Sequence, residues 1–275
     1  MLLAHHPRAL PNLRRALSLL VVATIVMGEA RAIDLEAGLR AAYKDTGAVT
    51  AHHMSVPGIG EPVRYLRAGP LDADRTAILL HGMAFSADTW KYVGTLDALA
   101  SIGVAAIALD LPHYNGPFAS PAIRRRLLGD VLAALVQSKR SRVLIIAASM
   151  GGTVASPYVL SSPNKVAGYV SVSGMLDTEA APSTSPVPTL LVWGELDSPS
   201  SSKAKAHQKI FSSHEQVIIP EAPHPAYLKD PALFNALVVS FATGRPRKTP
   251  NSSLAIELKV SARWDDSAGH TIQEL

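Results

Sequence analysis

Between residues 76 and 242 short apolar runs and amphipathic stretches follow one another in strict turn. Few architectures accept such a chain. Thr76–Leu80 (TAILL), Val104–Leu109 (VAAIAL), Val143–Ala147 (VLIIA), Val166–Val172, Thr189–Trp193 and Val217–Pro220 predict strands. Their near-continuous apolar character suits strands buried on both faces. Between them, Ala87–Ile102, Pro121–Val136, Gly152–Leu160, Ser201–Phe211 and Pro231–Ala242 predict helices; Trp90, Val93, Leu96, Leu99 and Ile102 give the first its apolar spacing. Strands alternating with helices imply an α/β fold, a mainly parallel sheet with helices on both faces. Two earlier segments, Thr50–Val56 and Val63–Arg67, flank a Pro-Gly turn over Pro57–Pro62 and predict an antiparallel N-terminal edge. Ligands of such sheets bind beyond the carboxyl ends of the strands, so the residues just after each strand matter most.

The 275-residue length suits one domain with a sizeable core. Hydrophobic residues at 48% against 17% charged argue against a disordered chain. Residues 1–32 hold Arg8, Arg14, Arg15 and Arg31 against Glu29, so the leader carries most of the chain's net charge of +4. The rest is close to neutral, and no nucleic-acid partner is expected. With no cysteine, disulfides, thiolate metal sites and a cysteine nucleophile are excluded. In the leader, Arg14 and Arg15 precede an apolar run from Ala16 to Met27, and Ala30-Arg31-Ala32 has the A-x-A form of a cleavage site. Residues 1–32 thus read as a signal peptide of a secreted or lumenal protein. An uncleaved signal anchor, with membrane association through this segment, and a disordered or organellar leader are the alternatives. Residues 33–243 form the expected catalytic domain.

The strand VLIIA runs into Ala147-Ala148-Ser149-Met150-Gly151-Gly152, and a helix follows. This is a nucleophile elbow with alanine in the first glycine position. A serine on a sharp strand-to-helix turn exposes its Oγ. Small residues two before and two after it keep strand and helix from colliding. The N-terminal end of the next helix favours developing negative charge. The strand TAILL ends in His81-Gly82-Met83-Ala84, where the backbone N–H of Met83, with that of Met150, would form an oxyanion hole. His81 itself reads as structural.

Two further loops offer the partners. Gly194-Glu195-Leu196-Asp197 follows TLLVW, and Glu221-Ala222-Pro223-His224 follows VIIP. The order Ser149, Asp197, His224 lets His224 act as base and Asp197 orient it. Asp177 and Asp110 each follow a strand too and compete for the acid role; Asp177 reads as part of a solvated loop. His52, His53, His207 and His214 read as structural, the last two flanking a solvated helix. No cofactor and no metal ion are expected.

With these residues assembled, the chain resembles the α/β-hydrolase superfamily and, more narrowly, the abhydrolase domain-containing protein 14 family. The resemblance is carried by LLHGMAFSADTWKYVGTLDALASIG (79–103), ALDLP (108–112), PTLLVWGELD (188–197) and EAPHPAYLKDP (221–231). It covers roughly Thr76 to Phe241. It implies a small hydrolase with no large lid domain. The elbow, AASMGG, departs from a family pattern with serines on both sides. His113 and Asn115 stand where the family usually has glycines, so His113 is a candidate to alter the pocket. Only 13 residues, Met175–Val187, lie where a lid normally inserts, which predicts an open site.

Beyond Gly244 the segment to Asn251 reads as a linker. Ser253–Trp264 alternates apolar and polar residues, as a half-buried strand would; residues 244–275 are otherwise a disordered tail. Three functions fit these observations: a serine hydrolase acting on a small ester or acyl substrate through an acyl-enzyme, a non-hydrolytic binding or receptor protein on the same scaffold, and a lyase or perhydrolase.

Overall fold

A computed structural model describes residues 32–43, 48–112, 120–136, 142–177, 184–199, 201–244 and 262–264. The strands are β1 (Thr50–Met54), β2 (Val63–Ala68), β3 (Arg75–Leu80), β4 (Val104–Leu109), β5 (Val143–Ala148), β6 (Val166–Val172), β7 (Thr189–Gly194) and β8 (His214–Ile219). The helices are α1 (residues 32–42), α2 (Ala87–Tyr92), α3 (Thr95–Ala100), α4 (Pro121–Leu135), α5 (Gly152–Ser161), α6 (Ser202–Ile210) and α7 (Pro231–Thr243). One eight-stranded sheet runs in the order β1-β2-β4-β3-β5-β6-β7-β8. β3 to β8 are parallel, while β2 pairs antiparallel with both β1 and β4. The expected mainly parallel sheet with an antiparallel N-terminal edge is therefore the fold.

Side chains alternate across the sheet with period two. On one face Ala77, Leu79, Leu144 and Ile146 join Trp90, Leu96, Leu99, Phe234 and Phe241 from α2, α3 and α7. On the other face Ile78, Leu80, Ile107 and Ile145 join Leu127, Val131, Val154 and Val159 from α4 and α5. Every residue of β4, β5, β6 and β7 is buried, which is why these strands read as unbroken apolar runs.

The single helix expected over Ala87–Ile102 is two helices. Apolar residues at every third position drift by about 60° per step around an α-helix. A straight helix would carry Trp90 and Ile102 to different sides. The chain breaks at Gly94, in the left-handed region at φ +76°, and restarts. Asn235 of α7 bridges the break: its Nδ2 donates to the Val93 carbonyl at 2.7 Å, and its Oδ1 accepts from Thr95 Oγ1 at 2.7 Å. β8 also begins three residues earlier than expected. As an edge strand it has one open side, so its polar start His214-Glu215-Gln216 is tolerated.

Among the described residues no helix is long and apolar enough to cross a membrane. The leader through Arg31, His113 and Asn115, and most of the expected C-terminal strand lie outside the described residues. Residues 262–264 form no strand. Instead the Ala262 N–H donates to the Phe241 carbonyl at 2.9 Å, and Trp264 Nε1 donates to the Ala242 carbonyl at 2.9 Å. Ala262 and Trp264 thereby tie this segment to the last turns of α7, while the Arg263 N–H donates to the Ala167 carbonyl of β6 at 2.6 Å.

Candidate active site

Ser149 directly follows β5 and holds φ +46°, in the left-handed region that side chains other than glycine seldom enter. The turn is held from two sides. A Cβ on Gly151 would lie 2.8 Å from the Leu80 carbonyl oxygen and 2.9 Å from that of His81, so only glycine lets the elbow meet the end of β3. A Cβ on Gly152 would overlap the Met175 backbone, and the Met175 N–H donates to the Ser149 carbonyl at 2.9 Å. Ala147 and Ala148 are fully buried beneath the turn. The small residues read from the sequence thus serve close backbone approach.

The loop after β3 lies against this serine: a Cβ built on Gly82 would sit 3.5 Å from Ser149 Cβ. Met83 is therefore one residue from contact with the elbow. Ser149 begins a short 3-10 turn and Met150 is its second residue, among the first N–H groups, which lack partners within the turn. His81 is buried, and its Nε2 must accept from the Leu111 N–H at 2.9 Å. Nδ1 is then the protonated nitrogen and donates to the Gly82 carbonyl at 2.6 Å. His81 is structural, as expected.

Asp110 belongs to a bracket for the same loop. Its Oδ1 accepts from the Ala87 N–H at 2.6 Å and its Oδ2 pairs with Arg64 at 2.8 Å. Arg64 also pairs with both oxygens of Asp88 at 3.0 Å. Asp88 first, then Asp110, raise the guanidinium pKa, and partial burial opposes them. Nothing in the sequence pattern signalled Arg64, because its partners are 24 and 46 residues away.

The loops after β7 and β8 are joined before either side chain is considered. A Cβ on Gly194 would overlap the carbonyl oxygens of Ala222 and Pro223. The Leu196 N–H donates to the Ala222 carbonyl at 3.0 Å, and the Glu221 N–H to Glu195 Oε2 at 2.8 Å. Asp197 and His224 then meet, with Nδ1 at 2.9 Å from Oδ2. An ionised carboxylate only accepts, so Nδ1 carries the proton and Nε2 is left as the basic nitrogen.

Asp177 is a correction. Its side chain is only 10% exposed, its carboxylate pairs with Arg125 of α4 at 3.2 Å, and its N–H donates to Ser156 Oγ at 2.9 Å. It is a packed tie between helices, not a solvated residue. His207 is structural, as read, but lies within α6 and not beside it: it is 1% exposed on the inner side of the helix, with Nδ1 against the Lys203 carbonyl at 2.9 Å. Burial, above all, lowers its pKa. Among the described residues no group of three or more histidine or acidic side chains could hold a metal ion.

Comparison with known proteins supports the fold and gives the family. The model of the alpha/beta hydrolase family matches residues 77–267. ABHD14B of Rattus norvegicus, named as a candidate protein-lysine deacylase, is 32% identical over 192 residues, 67% of this chain and 86% of its own. Protein ABHD14A of Danio rerio is 29% identical over 207 residues, 70% of this chain and 76% of its own. Among solved structures, carboxylesterase CesB of Bacillus subtilis superposes with a TM-score of 0.58 at 18% identity, covering 78% of this chain and 98% of its own. Epoxide hydrolase I of potato (Solanum tuberosum) reaches 0.57 at 15% identity, covering 70% and 98%. At such identities these two speak for the fold alone.

Proposed function

We propose, on the premise that this chain belongs to the alpha/beta hydrolase family, that it is a serine hydrolase cleaving a small ester or acyl substrate through a Ser149 acyl-enzyme. The observation that carries the proposal is the 2.9 Å contact between His224 Nδ1 and Asp197, which leaves Nε2 as the base. The left-handed Ser149 after β5 supports it. Ser149 Oγ attacks the substrate carbonyl carbon as His224 Nε2 takes its proton. The carbonyl π electrons move to oxygen, where the N–H groups of Met83 and Met150 receive the charge. The oxyanion collapses, the bond to the leaving group breaks, and His224 returns the proton to that group. Water repeats the sequence on the acyl-enzyme. Asp197 holds the tautomer and stabilises the imidazolium.

The name of the rat relative brings an acylated lysine into the range of substrates to offer, since an amide differs from an ester only in its leaving group. Labelling with a fluorophosphonate probe tests the nucleophile. Wild type is expected to be labelled and Ser149→Ala not, with kcat lowered by up to about 10⁶ if the three residues act as a unit. Equal labelling of the two would remove Ser149 from the reaction.

A further inference from the structure

The described residues leave six large apolar side chains exposed: Ile33, Leu71, Met83, Met175, Leu196 and Ile218. Single exposed apolar residues need no explanation, but a group of them marks a contact surface. Three of the six lie on the loops after β3, β6 and β7, which either touch the Ser149 turn or carry Asp197. Met83, 53% exposed, is next to Gly82, which touches the elbow. Met175, 36% exposed, is tied to the Ser149 carbonyl through its own N–H. Leu196, 65% exposed, precedes Asp197 and is tied to the loop of His224. The loops after β3 and β6, which both meet the Ser149 turn, and the loop after β7, which carries Asp197, each present one exposed apolar side chain.

We infer that these side chains form the wall against which an unbranched apolar acyl chain lies, and that the preferred substrates carry acyl groups of about four to eight carbons rather than acetyl. The inference rests on Ser149 being the nucleophile. A carbonyl held between the Met83 and Met150 N–H groups places its attached chain beside the Met83 side chain, with Met175 on the flank of the elbow. Two of the three are methionines, whose unbranched, polarizable side chains adapt to different lengths. Selectivity is therefore broad within the range and has no single sharp optimum. The preference grows with each methylene covered, by up to about fourfold.

The test is kcat/KM for p-nitrophenyl acetate, butyrate, hexanoate and octanoate. Wild type is expected to turn over hexanoate at least about tenfold better than acetate. In Met83→Ser/Met175→Ser the hexanoate-to-acetate ratio is expected to fall to about threefold or less, while Met83→Leu/Met175→Leu keeps it. The ratio is internal to each variant, so a general loss of folded protein or of turnover does not move it. A wild-type ratio at or below one, or a serine variant with the wild-type ratio, overturns the inference. Ser149→Ala separates the two readings. If it abolishes turnover of all four esters while the wild-type ratio is flat, only the apolar wall is wrong. If it hydrolyses them like wild type, the nucleophile is wrong and the wall has no site to serve.

Discussion

The two edges of the parallel sheet treat left-handed backbone differently. At the edge that enters the strands, the turns before β3 and β4 use Gly69 (φ +89°) and Gly103 (φ +73°), residues with no Cβ to strain. At the carboxyl edge, β5, β6, β7 and β8 are each followed within four residues by a non-glycine at positive φ: Ser149, Ser173, Ser198 and Glu221. These four are all the non-glycine residues of that kind among the described ones. Each costs on the order of 1–2 kcal/mol in backbone strain. The difference teaches where this molecule accepts strain for the sake of a side chain. At Ser149 the reason is visible, since glycine would relieve the turn and remove the hydroxyl.

The largest expected contrast at the working edge is between two acids. Asp197→Asn is expected to lower kcat on an activated ester by about 10²–10⁴, because the amide can hold the wrong imidazole tautomer. Asp177→Asn should change it less than tenfold. The amide keeps an oxygen for Arg125, and the residue touches α4 and α5, not His224. Both variants are to be measured on one ester at one pH. The reverse ranking would move the acid to the loop after β6 and break the assignment.

Next in size is Gly194→Ala. The added methyl meets the Ala222 carbonyl and must part the two loops. A displacement of about 1 Å between acid and base can cost about 10²-fold in kcat. A variant with wild-type kcat would show that the joint is slack. The strain comparison itself is tested by opposite substitutions. Gly103 has nothing within 4 Å of its missing Cβ, so Gly103→Ala isolates the backbone term and is expected to lose about 1 kcal/mol in urea unfolding. Ser198→Gly should be neutral or stabilising by up to about 1 kcal/mol. If both destabilise equally, the two edges are not strained differently.

The smallest effect concerns His207. Its pKa is lowered in the folded chain by burial, so the unfolded chain binds its proton first as pH falls. Its contribution is neutral above the ordinary histidine pKa of about 6.5 and destabilising as pH drops below it. Stability measured from pH 7 to pH 5 should decline less steeply in His207→Gln than in wild type. An identical slope would remove His207 from the acid sensitivity.

Much of this was legible in the residues themselves. The buried strands show as apolar runs, and the elbow, acid and base show as loops in the right chain order. What was hidden depends on partners distant in sequence. Asp177 looked solvated because Arg125 is 52 residues away. That His207 sits inside α6 was hidden because this mostly polar helix turns only Ala204 and His207 fully inward. Gly94 was in plain view as a break, yet the apolar spacing around it imitated one helix.

The missing side chain at Gly194 makes Asp197 and His224 a single heritable unit. Their loops are mortised together at the backbone, so an insertion in one needs a matching change in the other to keep Asp197 against His224. The loops after β3 and β6 lie against the Ser149 turn and carry Met83 and Met175. On the function proposed above, descendants of this chain can change what they accept by editing those two loops while inheriting the Asp197–His224 joint intact.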